Sequence, residues 1–233
     1  MENPEIVRLT MEHSDAVFEY MKTEFCPDEP LFRATDIMNG NGFMDKFAHK
    51  EIRKHYFDKG LQSGDCFGSF DADGNLLGLR LGFISNKQNL PWDPSLSWML
   101  NLPSFLMSKK FKQVLHALKF QEETDYKMIK AFDQCEGNNG KIYFGLAVGV
   151  ARKGRCQGLG GKLLKKSIDH AKEQGCSHMY LLATGKYSQK IMKNHGFEII
   201  KEKNYESYKD KDGNIVIKDE VHTCAQTVAL KIE

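Results

Sequence analysis

The pattern of hydrophobic and polar positions predicts a β-hairpin followed by a buried strand in the middle of the chain. Residues 66–70 and 76–84 are rich in apolar side chains, and an Asp-Ala-Asp-Gly-Asn turn at 71–75 separates them. An Asp-Gly pair between two such stretches favours a hairpin. Nearly every position of residues 142–150 is apolar, which indicates a strand that is buried on both faces.

Apolar residues recur at helical spacing after this buried strand, so a helix follows it. We expect the helix to end near Gly175, and the residues that share its apolar face are Leu159, Leu163, Leu164, Ile168 and Ala171. Beyond it we predict a strand at 178–183, a short helix at 187–194 and two final strands that begin at Phe197 and Val221.

The part of the chain before the hairpin predicts a strand and two helical regions. The strand lies at 6–9, the first helix is capped by Ser14 or Asp15, and the second helical region spans about 43–60. Residues 86–140 are rich in methionine and aromatic side chains with a mostly helical period, which indicates a helical insertion. We see no linker or repeat, and therefore expect residues 1–233 to form a single domain.

Composition excludes several classes of protein. The net charge is only +2, so nothing requires nucleic acid or an anionic membrane as a partner. No apolar stretch approaches the roughly 18 residues that span a bilayer, and no signal peptide pattern is present. The six cysteines are scattered without zinc-like spacing. We therefore expect a cytoplasmic protein with free thiols, no metal and no nucleic-acid or membrane partner, and we expect a monomer.

The candidate chemistry begins at the glycine-rich turn that joins the buried strand to the long helix, Arg155-Cys156-Gln157-Gly158-Leu159-Gly160-Gly161. The first backbone N–H groups of a helix and its dipole form an anion site, and glycines let a phosphate approach the backbone closely. Basic residues flank the turn on both sides, namely Arg152, Lys153, Arg155, Lys162, Lys165 and Lys166. These features predict a polyanionic ligand.

Three phosphate-binding patterns compete for this turn. A Walker A loop requires a glycine at Cys156 and a hydroxyl residue at Leu163. A dinucleotide fingerprint that starts at Gly158 requires glycine or alanine at Leu163 as well. The third pattern, Arg/Gln-x-x-Gly-x-Gly/Ala after an apolar strand, matches at every specified position from Arg155 to Gly160. A simple glycine-rich connection remains the alternative that implies no ligand.

With this turn, and with a Gly196-Phe197 pair about 35 residues later, the chain resembles the GCN5-related N-acetyltransferase (GNAT) superfamily. The resemblance implies an α/β (α+β) fold with a mixed, mostly antiparallel sheet of about seven strands, in which two central parallel strands separate near Val150. It implies that acetyl-coenzyme A binds a core at 142–200. The cofactor-binding residues that it implies are Val148, Gly149, Val150, Arg155, Cys156, Gln157, Gly158, Leu159, Gly160 and Gly161. Residues 151–154 depart from the pattern, because many members carry a proline and an aromatic residue there.

A second resemblance concerns the acceptor side. The segment 25–31, Phe-Cys-Pro-Asp-Glu-Pro-Leu, is similar to an element of the invertebrate arylalkylamine N-acetyltransferases. The resemblance implies that Glu29 is the general base. A carboxylate suits this role, because an alkylamine is protonated at neutral pH and must lose a proton before it attacks a thioester. The alternative is an acidic turn residue near the start of a helix.

The leaving thiolate needs protonation or stabilisation. Many GNAT members use a tyrosine four residues before the Gly-Phe pair, but Met192 occupies that position here. The arylalkylamine enzymes have two hydroxyl residues four apart in this region, and Thr184 and Ser188 match them. The resemblance therefore implies that Ser188 acts on the thiol side, with Thr184 secondary and Tyr187 possible. The alternative is that Thr184 or Ser188 caps the short helix.

The resemblance implies direct transfer of an acetyl group, in a ternary complex, to small arylalkylamines such as dopamine, tyramine, octopamine or serotonin. A diamine or polyamine acceptor is the first alternative, and it requires a second carboxylate some distance from Glu29. A non-catalytic acyl-coenzyme A-binding module is the second. The aromatic residues that could line an acceptor pocket, although aromatic residues at helical spacing are more often core, are Phe32, Trp92, Trp98, Phe105 and Phe111. Neither His116 nor His195 is assigned a role.

Overall fold

A seven-stranded sheet forms the centre of the computed structural model, which describes residues 5–35, 37–39, 43–88, 116–117, 119–121, 123–124, 128–134 and 140–233. The strands are β1 (Val7–Leu9), β2 (Cys66–Phe70), β3 (Leu76–Ser85), β4 (Lys141–Val150), β5 (Cys176–Ala183), β6 (Glu198–Asn204) and β7 (Cys224–Lys231). Their order in the sheet is β1-β2-β3-β4-β5-β7-β6. Only the neighbours β4 and β5 are parallel. The predicted mixed, mostly antiparallel sheet is therefore confirmed.

Helices flank this sheet, as predicted. They are α1 (Ser14–Tyr20), α2 (Pro30–Thr35), α3 (Phe43–Ile52), α4 (Lys59–Ser63), α5 (Met128–Gln134), α6 (Leu159–Glu173) and α7 (Lys186–Asn194). The π-helical turns Met21–Phe25 and Arg53–Asp58 continue α1 and α3. Most of the predicted helical insertion at 86–140 lies outside the described residues, and α5 belongs to its described part.

The predicted cap of the first helix is wrong. A 3₁₀ turn at Met11–His13 precedes α1, and Thr10 stands at the start of that turn, where its backbone N–H donates to Nδ1 of His13 at 3.0 Å. Ser14 instead uses its hydroxyl to donate to Oδ1 of Asp58 at 2.6 Å. This long-range bond cannot be read from the local pattern that favoured a serine cap.

Helix α6 covers β2, β3, β4 and β5 on one face of the sheet. Its side chains Leu163 and Leu164 have no exposed surface, which confirms the apolar face that the helical spacing predicted. Beside them lies a buried polar contact in which Nε2 of His170 is 2.8 Å from Oδ1 of Asp65. The hydroxyl of Tyr143 donates to the backbone oxygen of Asp65 at 2.9 Å, so Asp65 links Tyr143 to His170 under the helix.

The parallel pair β4 and β5 separates before either strand ends. Their pairing begins at Lys141 and ends where Gly145 lies opposite Leu181. On the other side of β4, Gly145 pairs with Gly82 and Ala147 pairs with Leu81, which leaves Leu146 as the extra residue of a β-bulge. A bulge bends its strand and increases its twist. The separation therefore starts at Gly145, earlier than the predicted position near Val150.

The packing of α6 predicts that substitutions on its buried face lower the free energy of unfolding much more than substitutions on its exposed face. Replacing Leu163 by alanine removes a fully buried side chain, and we expect the free energy of unfolding to fall by about 2–5 kcal/mol. Lys166→Ala, on the exposed face of the same helix, should change it by less than about 0.5 kcal/mol. Urea denaturation followed by circular dichroism measures both values, and equal effects would contradict the assigned packing of the helix.

Candidate active site

A cleft of about 830 Å³ opens where β4 and β5 separate. The ends of both strands, the first turns of α6 and α7, and the segment around α2 form its walls. Every site residue that the sequence predicted lines this cleft except Gln157, whose side chain donates to the backbone oxygen of Lys153 at 3.3 Å. Residues that are far apart in the sequence, such as Glu29 and Gly158, therefore face one space.

The glycine loop, which we define as Arg155–Gly161, leads from β4 into α6. Cys156 and Gly158 both have positive φ, at 62° and 73°. Nothing lies within 4 Å of a Cβ placed on Gly158, so the backbone conformation and not a steric contact favours glycine there. Lys162 makes the first helical hydrogen bond, to the backbone oxygen of Gly158 at 3.1 Å. The N–H groups before it are those that a helix leaves without an internal acceptor.

The backbone of β4 offers a second set of donors to the cleft. Ala151 donates its N–H to Leu77 of β3 at 2.8 Å, and Val150 lies opposite Gly78 in the same antiparallel ladder. Because the direction of N–H groups alternates along a strand, the N–H groups of Val148 and Val150 point away from β3. They point into the space between β4 beyond Gly145 and β5 beyond Leu181, which we call the β4–β5 gap. An extended ligand could therefore pair with β4 as a missing strand would.

An ion pair joins the glycine loop to the segment before α2. The guanidinium of Arg155 pairs with Asp28, and its Nε donates to the backbone oxygen of Val150 at 3.1 Å. Arg152 approaches the same carboxylate at 3.4 Å. Burial acts to raise the pKa of Asp28, but the hydrogen bonds and charges of the two arginines hold it below its usual value. Asp28 is therefore ionised, and its carboxylate is held in ion pairs with Arg152 and Arg155.

Glu29 caps α2 and also faces the cleft. Its Oε2 accepts the backbone N–H of Phe32 at 2.6 Å, which is a capping bond in the first turn of the helix. The residue is 9% exposed. Burial raises the pKa of this carboxyl, against the lowering effect of hydrogen bonds from Thr184 and from the backbone of Phe32 and Leu31. A carboxylate with a raised pKa is better matched to taking up a proton near neutral pH than an exposed glutamate is.

The two predicted hydroxyl residues occupy different positions in the connection from β5 to α7. Thr184 donates to Glu29 through its side chain, so the structure brings these two predicted residues together. Ser188 donates its hydroxyl to the backbone oxygen of Gly185 at 2.7 Å. Gly185 itself stands at the cap position of α7, and the alternative that Thr184 or Ser188 caps this helix is therefore wrong.

His222 is a cleft residue that sequence reasoning missed. Its Nδ1 accepts the backbone N–H of Lys186 at 3.1 Å, and its ring meets that of Tyr187 edge to face at 5.9 Å. Burial lowers its pKa, so the imidazole is neutral at physiological pH. The predicted last strand began at Val221, but β7 begins at Cys224, so His222 lies in the loop before it, and no motif marks this residue. Of the histidines that the sequence left without a role, His195 lines the cleft but is bonded to the backbone oxygen of Ile191 at 2.8 Å.

The predicted aromatic pocket can be followed only in part. Phe32 lines the cleft beside Phe25, with ring centroids 6.5 Å apart. Trp92, Trp98, Phe105 and Phe111 lie outside the described residues. Within the described ranges, no helix is long and apolar enough to cross a membrane, and no group of three potential metal ligands occurs.

Comparison with known proteins finds a matching family profile and solved structures with the same fold. Residues 123–197 match the profile of the acetyltransferase (GNAT) family. The whole chain is similar to arylalkylamine N-acetyltransferase 2 from Aedes aegypti, with 25% identity, a TM-score of 0.81 and complete coverage of both chains. A polyamine N-acetyltransferase of Drosophila melanogaster shares the fold at 18% identity and a TM-score of 0.70, over 98% of this chain and all of the other. An agmatine N-acetyltransferase does so at 18% identity and a TM-score of 0.69, with the same coverage.

The matched region spans the end of the insertion, β4, the glycine loop, α6, β5 and α7. These elements hold the β4–β5 gap and the helix N-terminus that faces it. The sequence match and the likeness over the full chain together show that this protein is an acyltransferase that contains an acetyltransferase domain of the GNAT family.

Proposed function

We propose that the protein transfers the acetyl group of acetyl-coenzyme A to the primary amine of small arylalkylamines. The observation that carries the proposal is the position of Glu29, a buried carboxylate with a raised pKa that faces the same cleft as the glycine loop. A module that only bound acyl-coenzyme A would need the loop but not this base.

The described residues fit the cosubstrate. The N-terminus of α6 and the glycine loop offer donors for a pyrophosphate, and Val148 and Val150 offer N–H groups for the amides of the pantetheine arm. When bound, acetyl-coenzyme A supplies the thioester that is attacked. A backbone N–H of β4 that faces the gap and is not used by the pantetheine arm would then stabilise the oxyanion that develops on the acetyl group.

Glu29 would accept the proton that the attacking nitrogen loses. The hydroxyl of Thr184 and the backbone N–H of Phe32 fix the carboxylate in place, and fixed geometry lowers the reorganisation needed during proton transfer. Ser188 remains our candidate for the thiol side because it lines the cleft. Its hydroxyl donates to the backbone oxygen of Gly185 and would have to leave that bond to protonate the sulfur. Met192, which lies at the position of the usual tyrosine, has no group that could protonate sulfur.

The lining of the cleft favours an aromatic acceptor over a diamine. Apolar and aromatic side chains line the cleft, including Phe25, Phe32 and Tyr56. A diamine would need a second carboxylate, yet the described candidates are already engaged. Asp28 pairs with two arginines, and Glu24 accepts the backbone N–H of Arg152 at 2.9 Å.

The first prediction concerns the base. Glu29→Gln should lower kcat by about 10²–10⁴-fold, the usual contribution of a general base, while the affinity for acetyl-coenzyme A stays the same. Glu19→Gln, on the exposed face of α1, is the matched control and should leave kcat unchanged. Steady-state kinetics and calorimetry measure the two effects, and full turnover by Glu29→Gln would remove this residue from the mechanism.

The same base sets the acidic limb of the pH profile. The glutamate is active when ionised, so activity is lost as pH falls through its pKa, and burial raises that pKa. We therefore expect the acidic limb of kcat/KM to lie above the usual range of a glutamate and to be absent from the residual activity of Glu29→Gln. A wild-type limb at the ordinary value would contradict the raised pKa.

A panel of acceptors tests the substrate class. Release of free thiol from acetyl-coenzyme A should be fast with dopamine, tyramine, octopamine or serotonin and slow with putrescine, spermidine or agmatine. The kcat/KM values of the two groups should differ by at least about 10-fold, since the described cleft offers the second amine no free carboxylate. Turnover of the diamines alone would replace the arylalkylamine assignment with the polyamine alternative.

The glycine loop gives a cofactor-binding prediction. Gly158→Asp places a carboxylate beside the expected pyrophosphate, and we expect the affinity for coenzyme A to fall by about 10- to 100-fold through charge repulsion. Gly213→Asp is the matched control, because Gly213 also has positive φ, at 82°, and open space around its Cβ but does not line the cleft. Calorimetry that finds the same affinity for Gly158→Asp and Gly213→Asp would contradict the assignment of the loop.

A further inference from the structure

A buried arginine, which no sequence motif indicated, lies at the apex of the β4–β5 gap, where the two strands begin to separate. Arg80 of β3 is 1% exposed, yet it lines the cleft. It lies opposite Val148 in the ladder between β3 and β4. A Cβ placed on Gly145 would lie only 2.3 Å from its Nη2, so the guanidinium fills the side-chain space of the last β4 residue that pairs with β5. Arg80 therefore lies at the apex of the gap.

The charge of Arg80 is only partly satisfied by the protein. Its Nη1 donates to the backbone oxygens of Leu81 and Ala147, each at 3.2 Å, and its Nε donates to the hydroxyl of Ser167 at 3.4 Å. The guanidinium carbon is 5.3 Å from the ring centroid of Tyr143. Nη2 is itself buried and has no hydrogen-bond partner among the described residues. The nearby carboxylate of Asp65 pairs with His170 and not with the guanidinium. Neutral dipoles alone rarely offset a buried charge, so an anionic group is expected to meet it.

The length of β4 identifies which ligand atom reaches this point. From Val150, beside the glycine loop, back to Gly145 the strand spans roughly 15 Å at the usual rise per residue. The pantetheine arm has about a dozen bonds between the pyrophosphate and the sulfur, and an extended chain of that length also reaches roughly 15 Å. An arm that follows β4 from the glycine loop therefore brings its sulfur to the apex of the gap.

We propose that Arg80 is a catalytic residue: when coenzyme A binds, its Nη2, which is buried in this structure, turns toward the sulfur and stabilises the thiolate as it leaves. The inference rests on the proposed function. In the step concerned, the neutral amine forms a C–N bond to the acetyl carbonyl carbon and the C–S bond breaks. The electron pair of that bond stays on sulfur as the thiolate beside Arg80, and the proton of the nitrogen passes to ionised Glu29. One negative charge is thus present before and after transfer.

This assignment supplies a fixed positive charge for the sulfur, which the hydroxyl of Ser188 cannot supply. Met192 is 1% exposed and cannot protonate a thiolate. Ser188 can donate only if it gives up its bond to Gly185. A fixed guanidinium stabilises an anion without proton transfer, and charge-assisted hydrogen bonds are the stronger class.

Binding of coenzyme A and of desulfo-coenzyme A, which lacks the sulfur, tests the proposal without an acceptor or turnover. Wild-type protein should bind coenzyme A more tightly, and the ratio of the two affinities should rise with pH from the lowered pKa of the bound thiol up to about 8.5, the ordinary value of a free thiol. At its maximum we expect a ratio of about 10 to 100. Calorimetry gives the affinities, and ultraviolet absorbance of the thiolate gives the ionisation of the bound thiol.

Variants at two positions separate the role in sulfur binding from a structural role. Arg80→Met should bind desulfo-coenzyme A like wild type but lose the preference for sulfur and its dependence on pH. Arg80→Lys should keep part of the preference. Gly145→Ala should also lose it, because its methyl group displaces Nη2, and it carries the test together with Arg80→Lys if Arg80→Met does not fold.

Each contrary outcome has a separate meaning. A wild-type ratio near one, or equal weakening of both ligands in the Arg80 variants, would overturn the assignment of Arg80 while leaving the proposed function in place. Failure of wild-type protein to bind either ligand would overturn the proposed function and this inference with it.

Discussion

The site depends on backbone pairing that β4 and β5 do not complete. The bulge at Leu146 ends the parallel ladder at Gly145, although β4 continues along β3 and β5 continues along β7. Backbone N–H groups that face the resulting gap need acceptors, since an unpaired buried donor is costly. The N–H groups of Val148 and Val150 are therefore donors that water or a ligand must satisfy. A ligand with amides along an extended arm is the natural partner for them.

The remaining contacts hold two other parts of the cleft at fixed positions relative to this gap. Arg155 joins the end of β4 to Asp28 by an ion pair and a backbone hydrogen bond, which places the next residue, Glu29, across the cleft from the glycine loop. Thr184, at the end of β5, bonds to Glu29 from the other strand. A base supported from both sides of the gap stays close to the point where an acceptor would meet the thioester.

Local sequence patterns predicted the order of the elements and the glycine loop. They could not predict the contacts between segments that are distant in the sequence. The order of strands and helices follows from periodicity, and the glycine loop follows from a turn whose positive φ at Gly158 favours glycine. The bulge at Leu146 left no signal, because it depends on the register with β3 and not on composition. His222 and Arg80 were missed for the same reason, since only the folded sheet brings an irregular loop and a β3 side chain into the cleft. The Ser14 cap was wrong because Asp58, distant in sequence, binds its hydroxyl.

Charge is distributed unevenly across the cleft, and the proposed reaction needs this asymmetry. Burial raises the pKa of Glu29, and the cation that lowers it is the neighbouring Arg33. A guanidinium placed against Glu29 itself would stabilise its ionised form and weaken it as a base. Arg80 instead lies under β4, hydrogen-bonded to Ala147 and Ser167, on the side where α6 packs. Separate locations allow the carboxylate to become neutral as the sulfur becomes charged, so each group meets the charge state that it favours.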